Sequence, residues 1–131
     1  MAPIQLLKQF EGSRIRSLWN EDEEEWYFSV VDVVAVLTES NNPRRYWSDL
    51  KRKLQAEGSQ VYDKIAHLKM KASDGKLRMT DAATTSQILR IVQSIPSPKA
   101  EPFKLWLAQV GAERIEETID PEQGISRALE T

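Results

Sequence analysis

The stretch that most constrains the fold is residues 26–37, WYFSVVDVVAVL, where a run of aromatic residues passes directly into an apolar helical pattern. Ser29 and Asp32 have the S-x-x-D spacing of a capping box, in which each side chain bonds a free amide of the first helical turn. Valine and leucine then recur at the i, i+3, i+4 and i+7 positions of one helix face. The pattern predicts a strand, a helix start at Ser29 and a deeply buried helix over residues 30–37.

A β-hairpin is expected just before this helix. Residues 14–20, RIRSLWN, alternate along the chain, and residues 26–28 are aromatic and favour a strand. The acidic residues between them cannot pack and must be solvated. We therefore predict a hairpin with an acidic tip, paired with an earlier short strand at about residues 5–10 that ends near Gly12.

A second helix is predicted after the break TESNN. Asn42 can cap it, and Pro43 suits its first position because the N–H that proline lacks is not needed there. At 100° per residue, one face carries Trp47, Leu50 and Leu54. We expect Trp47 to be a core residue, and the cationic side chains of this helix to point to solvent.

A second hairpin and further helices follow. The DG pair at residues 74–75 is a strong hairpin-turn signal between KIAHLKMK and KLRM. Thr80 or Asp81 is expected to cap a helix that runs to about residue 95, and the SP pair at 97–98 to open another. A last helix is expected from the DP pair at 120–121, and its early end indicates one domain, residues 1–131, excised from a longer protein. The fold class is therefore α+β, with small antiparallel hairpins packed with about five helices, including a helix-turn-helix-like pair.

Positive charge is concentrated in the middle of the chain. The protein has 18 Lys+Arg, 20 Asp+Glu and a net charge of −2, but residues 43–78 contain ten bases and only four acids. This segment therefore carries +6 and the remaining 95 residues carry −8. A basic middle between acidic ends favours a local site for a polyanion.

The layout of residues 30–54, an apolar helix followed by a basic one, is similar to a helix-turn-helix module. In such modules the start of the second helix approaches base edges and flanking basic residues meet phosphates. The alternative, a helix and hairpin whose charges are only solvated, remains open. The predicted DNA-binding residues lie on the second helix and the second hairpin: Arg44, Arg45, Ser48, Lys51, Arg52, Lys53, Lys64, Lys69, Lys71, Lys76 and Arg78.

An enzymatic function is not expected. The chain has no cysteine, no glycine-rich phosphate loop among its five glycines, and a single histidine, His67, which we interpret as a surface or hydrogen-bonded residue. The acidic run lacks the spacing of a calcium loop, so no metal or other cofactor is expected. No apolar run approaches the length of a membrane span and no secretory signal begins the chain, so a cytoplasmic location, nucleoid-associated in a bacterium or phage, is expected.

Several stretches resemble the N-terminal domain of the BRO family, which is found in phage antirepressors and large DNA viruses. They are WYFSVVDVVAVL, then NNPRRYWSDLKRKL, then a segment ending in a Phe-x-x-Trp helix, here Phe103 and Trp106. The segment GAERIEETIDPEQGISRALE is closest to the branch that contains DNA-damage-inducible protein D. The resemblance implies a small α+β domain that commonly binds DNA, a variable domain after it, and an antirepressor role.

Two functions from different classes follow. The first is binding of double-stranded DNA by a transcriptional regulator. The second is direct contact with a phage repressor protein, in which the acidic tip imitates a phosphate backbone. Self-association as a homodimer is a further expectation, because two-fold dimers suit palindromic sites. The predicted protein-contact residues are Glu21, Glu23, Glu24 and Glu25.

Overall fold

The computed structural model of the protein describes residues 4–58 and 65–113. Within these residues, an antiparallel sheet of five strands, in the spatial order β1-β2-β3-β5-β4, is combined with four helices. The expected α+β class is confirmed. The helix predicted from residue 120 lies outside the described residues. In chain order the elements are β1 (Ile4–Phe10), β2 (Ser13–Asn20), β3 (Glu25–Ser29), α1 (Val30–Thr38), α2 (Pro43–Ala56), β4 (Ala66–Lys71), β5 (Leu77–Thr84), α3 (Thr85–Gln93) and α4 (Ala100–Gly111).

The first three strands form the meander that the sequence predicts. β1 pairs with β2 through a two-residue turn, and Gly12 takes the positive φ of 82° that this turn needs. β2 pairs with β3 across the acidic tip, where Glu24 has a φ of 52°. The predicted hairpin and its pairing with the earlier strand are therefore confirmed.

Helix α1 begins at Val30 with Ser29 as its N-cap, and the Ser29 hydroxyl accepts from the Asp32 amide at 3.3 Å. The second bond of the predicted capping box, from the Ser29 amide to the Asp32 side chain, is wrong. The Asp32 carboxylate instead accepts from Arg16 on β2, from its backbone N–H at 2.9 Å and its Nε at 2.8 Å. An arginine on the neighbouring strand offers the carboxylate several charged donors, which are stronger partners than one amide.

The predicted helix cap at Thr80 or Asp81 is also wrong. β5 continues to Thr84, because Ala82 and Ala83 pair with β3 and both are buried. Helix α3 begins at Thr85, with Thr84 as its N-cap, and the Gln87 side chain completes a capping box. The β3–β5 pairing joins the two hairpins into one sheet.

The main core lies on the helix-covered face of this sheet. Side chains from β2 and β3 pack there with α1, α3 and α4, and Trp106 and Phe103 of α4 surround Phe10 with ring centroids 5.8 and 5.1 Å away. Helix α4 begins at Ala100, two residues later than the SP pair suggested, and the Ser97 hydroxyl caps the preceding turn by accepting from the Lys99 amide. A smaller cluster on the opposite face includes Leu18, Met70 and Ala82.

The two edges of the sheet are bridged by one side chain. Gln5 of β1 donates from its amide nitrogen to the carbonyl of Lys71 at 3.4 Å and accepts from the Lys71 amide at 2.8 Å. Because β1 and β4 are the outermost strands, the sheet must curl to bring them together. Met70, next to Lys71, is fully buried in the cluster with Leu18 and Ala82.

Candidate nucleic-acid interface

Helix α2 exposes its arginines and Lys53 as the sequence predicts, whereas the expected exposure of Lys51 is wrong, because Lys51 is half-buried against Asp81. The Asn42 side-chain oxygen caps the helix by accepting from the Arg45 amide at 3.2 Å, and proline occupies the first turn. Trp47, Leu50 and Leu54 are buried, so the expectation that Trp47 is a core residue is confirmed. The exposed candidates on this helix are Arg44, Arg45, Ser48, Arg52 and Lys53.

Asp81 of β5 joins α2 to the second hairpin. Its Oδ2 accepts from Trp47 Nε1 at 2.7 Å and from Lys51 Nζ at 2.9 Å, while its Oδ1 lies 2.7 Å from His67 Nδ1 of β4. We call these four residues the junction. His67 is thus a hydrogen-bonded residue near the surface, as the sequence indicates.

The junction also perturbs the acidity of its carboxylate. Burial by itself would raise the pKa of Asp81, but hydrogen bonds from Trp47 and Lys51, and the charges of Lys51 and His67, outweigh it and lower the pKa below its ordinary value. Asp81 is therefore ionised at neutral pH and holds α2 against the hairpin as a charged acceptor.

The register of the second hairpin places two lysines on the same face as the junction. His67 pairs with Asp81, and the next pairs on that face are Lys69 with Met79 and Lys71 with Leu77. Residues directly opposite each other in an antiparallel pair share a face, and alternate residues return to it. Both lysines therefore lie on the side of the sheet that carries α2.

The remaining hairpin cations are placed differently. Arg78 pairs in register with Met70, on the opposite face, and its guanidinium lies 2.5 Å from Asp74. Lys76 is in the turn, where its amide donates to the Asp74 carboxylate. Hydrogen bonds from Arg78 and from the Lys76 amide lower the pKa of Asp74. Lys64 lies outside the described residues, so its predicted role stays a prediction.

Ion pairing separates the candidate cations into two groups. Lys51 is tied to Asp81, Arg52 to Asp49, and Arg78 to Asp74. The cations that form no ion pair with any described residue are exposed. We call them the free cations: Arg44, Arg45, Lys53, Lys69, Lys71 and Lys76.

The acidic tip forms an ordered turn between β2 and β3. Asn20 accepts from the Glu23 amide at 3.0 Å, and the Tyr27 hydroxyl donates to Glu23 Oε1 at 2.6 Å. This hydrogen bond, with burial and the charges of Glu23 and Glu25, raises the pKa of Tyr27 to about 12. Glu21 and Glu25 are half-buried, whereas Glu24 and Glu23 are exposed.

Sequence reasoning missed the residues that organise this surface. The sequence predicts Thr80 or Asp81 as a helix cap and predicts no role for Gln5. The sequence contains a weak indication that Asp81 lies in a strand, since a hairpin with its turn at residues 74–75 places Asp81 opposite His67. Nothing near Gln5 in the sequence indicates its partner, which is 66 residues away.

The arrangement suits electrostatic recognition. In the described parts of the chain, no group of three or more potential metal-ligating side chains comes together. The same residues include no helix long and apolar enough to cross a membrane. The surface consists of free cations on α2 and on the β4–β5 hairpin, and the junction holds these two elements together.

These observations define a class of protein. It is a small α+β domain with a curled antiparallel sheet, in which a cationic helix lies beside a cationic hairpin. The family model for the BRO family, N-terminal domain, matches residues 14–112, and the chain belongs to this family. The family consists of regulatory proteins of the phage antirepressor type. No curated protein and no solved structure matches the chain.

Proposed function

We propose that this domain is the DNA-binding part of an antirepressor-like transcriptional regulator, non-enzymatic, and that it binds duplex DNA through α2 and the β4–β5 hairpin. The observation that carries the proposal is the junction. Because Trp47 and Lys51 of α2 bind Asp81, which lies on the same sheet face as Lys69 and Lys71, α2 and the two hairpin lysines lie on one face of the sheet.

The free cations provide the physical basis for affinity. Cations already paired with carboxylates gain less from a phosphate, because they must first give up a partner. The six free cations have no carboxylate partner among the described residues, so they lose no ion pair when they bind a phosphate. Each phosphate neutralised releases condensed counterions, so the affinity should fall with salt with a log–log slope of about −0.9 per phosphate, or about −5 if all six engage.

Helix α2 follows α1 after residues 39–42, and we interpret this pair as a helix-turn-helix-like module. In that interpretation Arg44, Arg45 and Ser48, at the start of α2, approach base edges. The hairpin lysines and Lys53 would contact phosphates and set orientation.

Fluorescence anisotropy with a labelled duplex at several salt concentrations tests the proposal. We expect the double variants Arg44→Gln with Arg45→Gln, and Lys69→Gln with Lys71→Gln, each to reduce the magnitude of the slope by about 2. Glutamine is a good helix former and suits the third helical position, so the α2 variant should fold normally.

Arg14→Gln is the matched control. Arg14 is exposed, forms no ion pair with a described residue, and lies on the opposite face of the sheet, so its loss should leave the slope unchanged. If the α2 variant and the Arg14 variant have the same slope as the wild type, α2 does not contact DNA. A wild-type affinity independent of salt would reject the proposal as a whole.

A second candidate function is direct contact with a phage repressor through the acidic tip. It is favoured by the ordered turn, in which Tyr27 fixes Glu23 while Asp22 and Glu24 form no ion pair with a described residue. In a pull-down with a purified phage repressor, changing Glu23, Glu24 and Glu25 to Gln should abolish capture. The α2 double variant should be captured as well as the wild type if the tip is the contact, and should lose capture if the basic surface is.

A further inference from the structure

The outer part of the β4–β5 hairpin exposes two large apolar side chains. Leu77 is 65% and Met79 62% exposed, and only Leu105, at 75%, is a more exposed large apolar residue among those described. The two lie at i and i+2 on β5, so they share a face and are about 7 Å apart along the strand. Exposed apolar area of this kind has an unfavourable hydration free energy that a binding partner can relieve.

Each of these apolar side chains lies directly opposite a free lysine. Leu77 pairs with Lys71 and Met79 with Lys69, and neither lysine forms an ion pair with a described residue. Lys76 adds a further free cation at the turn. A partner that covers this patch must therefore offer anions on its rim and apolar surface between them.

The hairpin is held at two places, near its base and next to its turn. Asp81 is bound by Trp47 and Lys51 of α2, and both backbone groups of Lys71 are bonded by the Gln5 side chain. Met70 is completely buried on the other face. The apolar pair is therefore presented on a fixed two-stranded ribbon, which lowers the entropy that binding must remove.

We propose that Leu77 and Met79 form an apolar wedge that enters the minor groove of duplex DNA, partly unstacks a base step and bends the duplex, while Lys69 and Lys71 contact the flanking phosphates. The inference rests on the proposed DNA-binding function. Proteins that bend DNA through the minor groove insert leucine and methionine side chains in this way. Charge complementarity favours a duplex over contact with the same patch of a second copy, because two cationic rims would repel each other.

The wedge has a consequence for DNA preference. Pyrimidine–purine steps such as TA are easily unstacked, whereas A-tracts are stiff. The domain should therefore bind a duplex with central TA steps more tightly than an A-tract duplex of the same length and composition. No base-edge hydrogen bond is required for this preference.

The experiment combines end-labelled duplexes of both kinds, with energy transfer to report bending and anisotropy to report affinity. The test variant is Leu77→Thr with Met79→Thr, because threonine keeps a high strand propensity and the replaced side chains are exposed. Leu105→Gln on α4 is the matched control, since it removes, at a different place, the most exposed large apolar side chain among the described residues. Circular dichroism and the unfolding midpoint verify that all variants fold.

We expect the wild type and Leu105→Gln to increase energy transfer on the TA duplex. The double variant should lose that increase and the preference for TA steps, with affinity for the TA duplex lower by on the order of tenfold. Its salt slope should remain within about one unit of the wild-type value, because the phosphate contacts are retained.

Three outcomes would overturn the wedge. The first is a wild type that binds DNA without bending it, and the second is a double variant that bends DNA as the wild type does; both leave the DNA-binding function standing. The third is a double variant that changes the oligomeric state, measured by light scattering, with bending unaltered, which assigns the patch to contact between copies. Absence of any binding by the wild type rejects the proposed function together with the wedge.

Discussion

Arg16 and Arg45 carry the same charge in opposite surroundings. Arg16 lies between β2 and α1, where it donates to both oxygens of Asp32, at 2.8 and 3.0 Å, and to the Ser29 hydroxyl. Arg45 is exposed at the start of α2 and forms no ion pair with a described residue. The first arginine fixes a helix to a strand, and the second is available to a partner. A count of charges along the chain cannot tell these roles apart, whereas the position of carboxylates in space can.

The same contrast holds for the regions around them. The packed region, made of β1, β2, β3, α1 and α4, buries most of its aromatic residues and pairs Arg16 and Lys8 with carboxylates. The open region, made of α2 and the β4–β5 hairpin, exposes the free cations and the apolar pair on β5. Stability should therefore depend on charges that have part-buried partners, in the packed region and at the junction, and binding on the free cations of the open region.

The largest expected effect is on stability in the packed region. Asp32→Ala should lower the free energy of unfolding by about 3 kcal/mol, because it leaves a largely buried guanidinium without its carboxylate. Urea unfolding followed by tryptophan fluorescence measures this change. Glu101→Ala, which breaks an exposed pair with Lys104, should change stability by less than about 0.5 kcal/mol. Equal effects of the two variants would contradict the distinction between a part-buried ion pair and an exposed one.

The junction should show an intermediate effect. Asp81→Ala removes the acceptor of Trp47 and Lys51 and should reduce the free energy of unfolding by about 2 kcal/mol. The variant should also weaken DNA binding, because α2 and the hairpin lose their common support. A variant that is as stable as the wild type and binds equally well would show that the two elements are oriented by other contacts.

Acid should weaken the junction in the wild type. The pKa of Asp81 is lower in the folded protein than in the unfolded chain, so its contribution to stability is present above the unfolded value of about 4 and is lost as the pH falls through the folded value. Unfolding midpoints measured between pH 5 and pH 2 should fall less steeply in Asp81→Ala than in the wild type. Parallel curves would mean that Asp81 does not contribute to acid unfolding.

The smallest effect on stability is expected in the open region. Lys69→Gln with Lys71→Gln should alter the free energy of unfolding by less than about 0.5 kcal/mol, since both side chains are exposed and unpaired with described residues. The same variant should reduce the salt dependence of DNA binding. Marked destabilisation would show that these lysines support the fold and would remove them from the free cations.

Most of the local structure could be predicted from the sequence, and the candidate site only in part. The cap of α2 at Asn42 and the outward direction of Arg44 and Arg45 follow from residues within a few positions of each other. The ion pairing of Lys51 could not be predicted, because it depends on where a distant carboxylate lies in the folded protein. Lys51 meets its partner 30 residues further along the chain.

Helix faces, turn positions and strand alternation were determined by the sequence itself, because the chain's own periodicity and turn chemistry act over short distances. The joining of two hairpins through β3 and β5, the placement of Asp81 in a strand, and the bridge from Gln5 to Lys71 were decided only by the tertiary structure. These features depend on contacts between segments far apart in the chain, and many pairings satisfy the same local pattern. The observed strand pairing is the one that buries Ala82, Ala83 and Met70 between the paired strands and their neighbours.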